Sequence, residues 1–115
     1  MKFLKALQYA GNGIRHASVH ETNFRIHLFA TFSVVLTGFC LAISSTEWLA
    51  IITCCMLVLM AELLNTAIEV FCDSVVKEPL PAIKIVKDVA AGAVLVTAIG
   101  SAIIGVIIFL PKIIH

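Results

Sequence analysis

Long uncharged apolar runs dominate the pattern of hydrophobic and polar positions along the chain. One covers residues 26–46 and is interrupted only by His27, a second begins at Trp48 and stays apolar until Glu62, and a third covers residues 89–110. At about 1.5 Å per residue, the runs over residues 26–46 and 89–110 are each long enough to cross the roughly 30 Å hydrocarbon core of a bilayer. The pattern predicts three transmembrane helices, over residues 26–45, 47–72 and 88–110.

The first 24 residues follow a different pattern, with one apolar helical stripe and polar side chains around the rest of the circumference. The stripe contains Phe3, Leu4, Leu7, Ala10, Ile14 and Ala17. This arrangement is typical of an amphipathic helix that lies in the membrane interface. Gly11 and Gly13 weaken such a helix and permit a kink. We therefore predict an all-α membrane protein with a single domain over residues 1–115, in which a surface helix (1–24) precedes three transmembrane helices.

Composition and charge agree with an integral membrane protein: 61% of the residues are hydrophobic and the mean hydropathy is +1.09. Seven of the eight Lys and Arg residues fall on one side of the predicted spans, and only Lys112 falls on the other. The positive-inside rule makes the first side, which includes the amino terminus, cytoplasmic. The net charge of +1 is no reason to expect a nucleic-acid partner. The four cysteines lie in predicted spans without a Cys-x-x-Cys pair, so we interpret them as packing residues.

The connections and the third span carry local signals. Ser44, followed three residues later by Glu47, predicts a helix capping box, and Trp48 is placed as an interfacial anchor. Residues 74–87 are predicted to form the only substantial loop, stiffened by two prolines and basic enough to face an anionic ligand. Small residues four positions apart in the third span predict close helix packing: Ala93, Thr97, Ser101 and Gly105.

Acidic and amide side chains interrupt the second half of the middle span, within the stretch AELLNTAIEVFCD. At 100° per residue, Glu62, Asn65, Glu69 and Asp73 fall within an arc of about 80°. Glu62 lies about 21 Å into the span and therefore within the hydrocarbon, where an acidic residue costs roughly 2.5–3.5 kcal/mol at the bilayer centre and less toward the interface. Interhelical hydrogen bonds from Glu62 or Asn65, and a solvated helix end at Asp73, remain structural alternatives. Four such residues on one face favour a functional site.

The residue types on this face suggest a chemistry. Mg²⁺ is typically held by one or two carboxylates together with substrate phosphates, and a poorly solvated carboxylate is suited to take a proton from a hydroxyl. Lys87 and Asp88 lie on the same cytoplasmic side, although Lys87 also fits a snorkelling lysine and Asp88 a helix N-cap. The set suits phosphoryl transfer. His16, His20 and His27 are not spaced as a metal-binding trio.

The stretches ETNFRIHL, AELLNTAIEVFCD and KDVAAGAVL resemble the small integral-membrane lipid kinases of bacteria, the prokaryotic diacylglycerol kinase and undecaprenol kinase family. The likeness extends from about Tyr9 to Gly105. It implies a homotrimer in the bacterial inner (cytoplasmic) membrane, with a surface helix and three spanning helices per protomer and active sites shared between neighbours at the cytoplasmic interface. It also implies that MgATP donates its γ-phosphoryl group to the hydroxyl of a membrane lipid alcohol, undecaprenol or diacylglycerol.

The resemblance also implies roles for individual residues. Glu62 would be the general base, Glu69 and Glu21 the metal ligands, and Asn65 a positioning group beside them on the cofactor-binding side. From the sequence alone, Glu21 is only a polar residue between the surface helix and the first span. The nucleotide-binding side would also include Tyr9, Gly13, Arg25, Asp73, Lys87 and Asp88.

The resemblance leaves two details open. Many relatives carry a Glu-Tyr-His or Glu-His-Pro type of stretch in the cytoplasmic loop, where this chain has KEPLP, so no substrate contact by the loop is inferred. The sequences NFRIHL and DVAAGAVL are closer to those of the undecaprenol kinase type than to those of the diacylglycerol kinase type. These two stretches do not by themselves decide between the two lipids.

Two other functions are alternatives to a kinase. A small multidrug or ion transporter subunit would use the intramembrane Glu62, but such proteins usually have a fourth span and keep their acidic residue near the midplane of the first. A non-catalytic assembly factor would tolerate neutral replacements along the polar stripe of the middle span. The three predicted spans and the acids near the cytoplasmic end of the second favour the kinase.

Overall fold

Four helices account for nearly all of the chain in the structure, which is a computed structural model and describes residues 1–114. They are α1 (Lys2–His20), α2 (Thr22–Cys40), α3 (Ser45–Val75) and α4 (Pro81–Ile113). Helices α2, α3 and α4 are long and apolar enough to cross a membrane. The prediction of an all-α membrane protein with three candidate spans is therefore confirmed.

The limits of the helices differ from those of the predicted elements. α1 ends before Glu21, whose extended backbone (φ −113°, ψ 110°) separates it from α2, so the residues expected to end the surface helix instead begin the first span. α1 also continues through both of its glycines without a break. α3 contains 31 residues, which at 1.5 Å per residue is a length of about 46 Å. At least one end of α3 therefore projects from a hydrocarbon core of roughly 30 Å.

The predicted loop over residues 74–87 is wrong in extent, because only residues 76–80 separate α3 from α4. Pro81 lies in the first turn of α4, directly after Leu80, which is the N-cap residue. Proline is favoured at this position, because its fixed φ suits a helix and its missing N–H would have no partner in any case. Lys87 and Asp88 consequently lie about two turns into α4. The alternative that Asp88 caps a helix is therefore wrong.

The capping box predicted at the start of α3 is confirmed. The Glu47 N–H donates to Ser44 Oγ at 3.2 Å, and the Ser44 N–H donates to Glu47 Oε1 at 2.9 Å. The same carboxylate oxygen lies 3.2 Å from Lys112 Nζ, near the carboxyl end of α4. This ion pair joins α3 to α4 at the opposite end of α3 from the acidic stripe.

The turn between α2 and α3 is closed by tight packing on Gly38. A Cβ atom placed there would lie 2.8 Å from Trp48 Cη2 and 3.1 Å from Ile43 Cδ1. The Trp48 ring is also held against Phe39, with ring centroids 4.9 Å apart. No side chain therefore fits at Gly38 unless Trp48 moves.

Substituting Gly38 with alanine should lower the free energy of unfolding by about 1–3 kcal/mol, because overpacking forces the indole out of its position. The thermal unfolding midpoint of the protein in detergent measures this loss. Gly11→Ala is the matched control, since a Cβ at Gly11 meets nothing within 4 Å and alanine raises helix stability there by up to about 1 kcal/mol. An unchanged midpoint for Gly38→Ala would show that the turn accommodates the methyl group.

The helices pack as a thin layer with extents of 55 × 40 × 21 Å. α3 is central: it packs mainly against α4 and also against α2, while α1 contacts α2 and α3. In the small-residue ridge of α4, Ser101 Oγ donates to the carbonyl oxygen of Cys54 in α3 at 3.5 Å. A Cβ on Gly105, by contrast, would meet no atom within 4 Å. Within the protomer the ridge therefore makes close contact with α3 at Ser101 but not at Gly105.

Candidate active site

The polar stripe of α3 faces the interior of the protomer. Glu62 is 3% exposed and Asn65 is 6% exposed. Glu69, about two turns beyond Glu62, is half-buried, and Asp73 is exposed. Burial therefore decreases along the stripe from Glu62 toward the carboxyl end of the helix.

The stripe continues the apolar packing face of α3. Ile51, Cys54 and Val58 are buried and precede Glu62 and Asn65 at intervals of three or four residues. Residues at these intervals share one face of a helix. The face that packs α3 against its neighbours therefore also shields Glu62 and Asn65 from the acyl chains.

His27 of α2 is the ion-pair partner of Glu62. Its Nε2 lies 3.6 Å from Glu62 Oε2. Among the ion pairs formed by residues 1–114, neither side chain has a second partner within 4 Å. His27 is not among the predicted site residues. The available signal is that it alone interrupts the first apolar run, but a single sequence does not show which residue of another helix it meets.

Asn65 connects the buried part of the stripe to Glu69. Its Nδ2 donates to Glu69 Oε1 at 2.8 Å, one helical turn away. Asn65 Oδ1 is buried and has no hydrogen-bond partner among residues 1–114, and the same holds for Thr66 Oγ1. A buried polar atom without a partner costs about 1–3 kcal/mol. The unpaired amide oxygen beside Glu69 therefore marks a place for a cation or a hydrogen-bond donor.

The oxygen atoms around Glu69 fit a hard divalent cation, because Mg²⁺ prefers carboxylate and carbonyl oxygens. In the part of the chain that the structure describes, no three His, Cys, Asp or Glu side chains form a group that could hold a metal ion. Glu21 is half-buried at the junction of α1 and α2. A cation at Glu69 would therefore need further oxygens, for example from a phosphate.

Two residues predicted on the nucleotide-binding side, Asp73 and Lys87, meet where α3 and α4 come together, and a third, Asp88, pairs within α4. Lys87 of α4 forms an ion pair with Asp73 of α3, and Asp88 accepts a hydrogen bond of 2.6 Å from Lys84. Glu69 also lies within electrostatic range of Lys87. Exposed ion pairs contribute only about 0–1 kcal/mol. Lys87 can therefore leave Asp73 for an anionic ligand at little cost.

Arg25 has a structural partner within the protomer. Its Nη1 donates to the carbonyl oxygens of Ser18 at 3.1 Å and Val19 at 2.8 Å. These carbonyls lie in the last turn of α1, where no further helical N–H can satisfy them. Arg25 of α2 therefore caps α1 and sets the angle between the two helices.

The remaining predicted residues lie on α1. Tyr9 is exposed. Gly13 lines a groove with a volume of about 710 Å³ between α1 and α3, which Thr66 also borders. The other α3 side chains along this groove are apolar, and Glu62, Asn65 and Glu69 do not line it, so the structure does not bring Gly13 to the polar stripe within residues 1–114.

Comparison with known proteins identifies the family. Prokaryotic diacylglycerol kinase is the family that matches, over residues 8–109. The undecaprenol kinase of Bacillus subtilis (strain 168) is 42% identical over 111 residues, which cover 96% of this chain and 90% of that protein. The diacylglycerol kinase of Synechocystis is 39% identical over 111 residues (94% of this chain, 62% of that protein). The diacylglycerol kinase of Escherichia coli (strain K12) is 31% identical over 98 residues (85% and 80%). With these matches added to its three candidate spans and its buried acidic stripe, the chain belongs to the prokaryotic diacylglycerol kinase family and is a lipid kinase.

Proposed function

We propose that the enzyme transfers the γ-phosphoryl group of MgATP to the hydroxyl of a membrane lipid alcohol at the cytoplasmic surface of the membrane. The observation that carries the proposal is the row of side chains on α3, which begins at the buried Glu62 and ends at Asp73, paired with Lys87. A lipid hydroxyl that approaches from the membrane and a nucleotide that approaches from water would meet along this row. A lipid kinase requires such a meeting point.

Glu62 acts as the general base in this proposal. It accepts the proton of the lipid hydroxyl while the hydroxyl oxygen bonds to the γ-phosphorus and the bond between that phosphorus and the bridging oxygen of ADP breaks. Its burial excludes water that would otherwise compete for the phosphoryl group. Asn65 holds Glu69 in place through its amide hydrogen bond, and Lys87 binds phosphate oxygens at the water-facing end.

Glu69 and Glu21 are the side chains proposed to hold Mg²⁺. When bound, the ion neutralises charge on the phosphates of the nucleotide. The unpaired Asn65 Oδ1 beside Glu69 supports a cation there. The remaining residues proposed for the nucleotide-binding side are Tyr9, Gly13, Arg25, Asp73 and Asp88.

We place the protein in the bacterial inner membrane as a multi-pass protein with its amino terminus and active site on the cytoplasmic side. The asymmetry of its basic residues supports this orientation. α1 is proposed to lie on the membrane surface, because it has a single apolar stripe and buries only Ala17 in the protomer. A homotrimer with sites shared between protomers is supported by the exposed apolar faces of α2 and α4. It would also supply the second ligand that Glu69 lacks within one protomer.

Undecaprenol is the lipid alcohol that we propose as the substrate. The undecaprenol kinase of Bacillus subtilis shares 42% identity with this chain, compared with 39% and 31% for the diacylglycerol kinases of Synechocystis and Escherichia coli. The similarity of the sequences NFRIHL and DVAAGAVL to the undecaprenol kinase type also supports undecaprenol as the substrate.

Purified protein incubated with γ-labelled ATP, Mg²⁺ and a panel of lipid alcohols should label undecaprenol faster than diacylglycerol. The initial rate for each lipid, measured in the same mixed micelles, provides the comparison. Faster labelling of diacylglycerol would contradict the lipid assignment but keep the kinase. No labelling of any lipid alcohol, by protein that remains folded, would contradict the proposed function.

A transporter subunit is not favoured, because the matching family and the relatives named above are lipid kinases.

A further inference from the structure

Glu62 has an ion-pair partner, His27, to which the proposed reaction assigns no role. A general base must hold its carboxylate oxygen toward the hydroxyl, and a buried carboxylate is also costly unless a donor or a positive charge faces it. The only ion pair of Glu62 within residues 1–114 is with His27, through Nε2 at 3.6 Å. The two side chains come from different helices, so the contact fixes Glu62 relative to α2.

We propose that His27 is a positioning residue for phosphoryl transfer: its Nε2 donates to Glu62 Oε2 and directs the other carboxylate oxygen at the lipid hydroxyl. The role rests on the proposed function of Glu62 as the base. His27 itself touches neither the lipid hydroxyl nor the nucleotide in this proposal. The distance of 3.6 Å is long for a hydrogen bond, and such bonds in free enzymes commonly tighten when substrate binds.

Among residues 1–114, no other charged side chain lines the groove beside His27 and could take its place next to Glu62. Arg25, the cation two residues earlier on α2, donates to the carbonyls of Ser18 and Val19 and is turned toward α1. The α3 side chains that line the same groove as His27 include Val58, one turn before Glu62, and the cysteines Cys54 and Cys55. The polar side chain that α4 contributes to this groove is Ser101. None of these carries a charge that would replace the imidazole.

The position of His27 beside an apolar groove also fits the approach of a lipid chain. His27 borders this groove, which has a volume of about 590 Å³ between α2, α3 and α4 and is lined chiefly by aliphatic side chains. Its side chain retains 21% exposure, whereas that of Glu62 retains 4%. The imidazole therefore lies between the carboxylate and the groove, where it can act on the orientation of Glu62 as the lipid binds.

Three replacements of His27 separate positioning from packing. In His27→Gln the amide nitrogen takes the place of Nε2, in His27→Asn it takes the place of Nδ1, and His27→Leu keeps bulk without a donor. We expect His27→Asn and His27→Leu to reduce kcat by about 10- to 100-fold, a usual loss for an orienting partner, with KM for ATP within twofold of the wild-type value. His27→Gln should recover most of kcat. Thr37→Val is the control on the same helix, because among residues 1–114 the Thr37 hydroxyl donates only to the Ser33 carbonyl.

A double substitution tests whether His27 acts through Glu62. In a Glu62→Gln background, adding His27→Leu should cause no further loss of kcat, because there is no base left to position. Equal damage in His27→Gln and His27→Leu, an unchanged kcat in His27→Leu, or an additive loss in the double variant would overturn the role. In those outcomes the wild type still phosphorylates lipid and Glu62→Gln does not, so the proposed function stands. A wild-type protein without lipid kinase activity would overturn both.

Discussion

Replacing Glu62 with glutamine should reduce the rate of lipid phosphorylation by a factor of about 10² to 10⁴, the usual contribution of a general base. Glutamine has nearly the same shape as glutamate but cannot accept the proton of the hydroxyl. Because Glu62 is 3% exposed, the substitution also removes a buried charge, so stability should not fall. The measurement is kcat with saturating ATP and lipid, beside the thermal unfolding midpoint and the oligomer size.

The matched control for this substitution is Glu47→Gln. Glu47 lies on the same helix, but at the opposite end, in the capping box and beside Lys112. Glutamine can also complete a capping box, so lipid phosphorylation should stay at the wild-type rate. Retained phosphorylation in Glu62→Gln, at any level within tenfold of the wild type, would remove Glu62 from the role of base.

Replacing Glu69 with glutamine should raise the Mg²⁺ concentration needed for half-maximal activity by roughly tenfold or more. The substitution exchanges an anionic ligand for a neutral one, and it weakens the charge-assisted hydrogen bond from Asn65 Nδ2. Activity should return at high Mg²⁺, because the base is intact. This recovery distinguishes the variant from Glu62→Gln, in which added metal should restore nothing.

A magnesium titration of lipid phosphorylation measures the effect, with Glu47→Gln again as the control. Binding of Mn²⁺, followed by its magnetic resonance signal in the presence of a non-hydrolysable ATP analogue, gives a readout that does not depend on turnover. An unchanged magnesium titration together with unchanged Mn²⁺ binding would argue against ligation by Glu69.

Much of the fold could be predicted because it follows from local rules. Two runs of apolar residues as long as the hydrocarbon core, and a third that stays apolar up to Glu62, leave few alternatives to three helices, since every backbone N–H and C=O in lipid must be satisfied within its own segment. The capping box at Ser44 and Glu47 is confirmed for the same reason, because its atoms are three residues apart. The common face of Glu62, Asn65 and Glu69 follows from the helical repeat.

The errors have a local cause as well. Pro81 falls within the predicted loop, although a proline fits the first turn of a helix as well as it fits a turn. The predicted loop puts Asp88 at a helix start, whereas the residue lies within α4 and pairs with Lys84. One residue type was compatible with two local structures, and the surrounding sequence did not separate them.

By itself the sequence determined the three spanning helices and which side chains of α3 share a face, because helix length and the helical repeat depend only on residues near one another in the chain. The tertiary structure decided that this face turns inward, that His27 meets Glu62 and that Arg25 caps α1. These contacts depend on the rotation and register of one helix against another. Side-chain packing between helices sets that rotation and register, and it depends on residues distant in the chain.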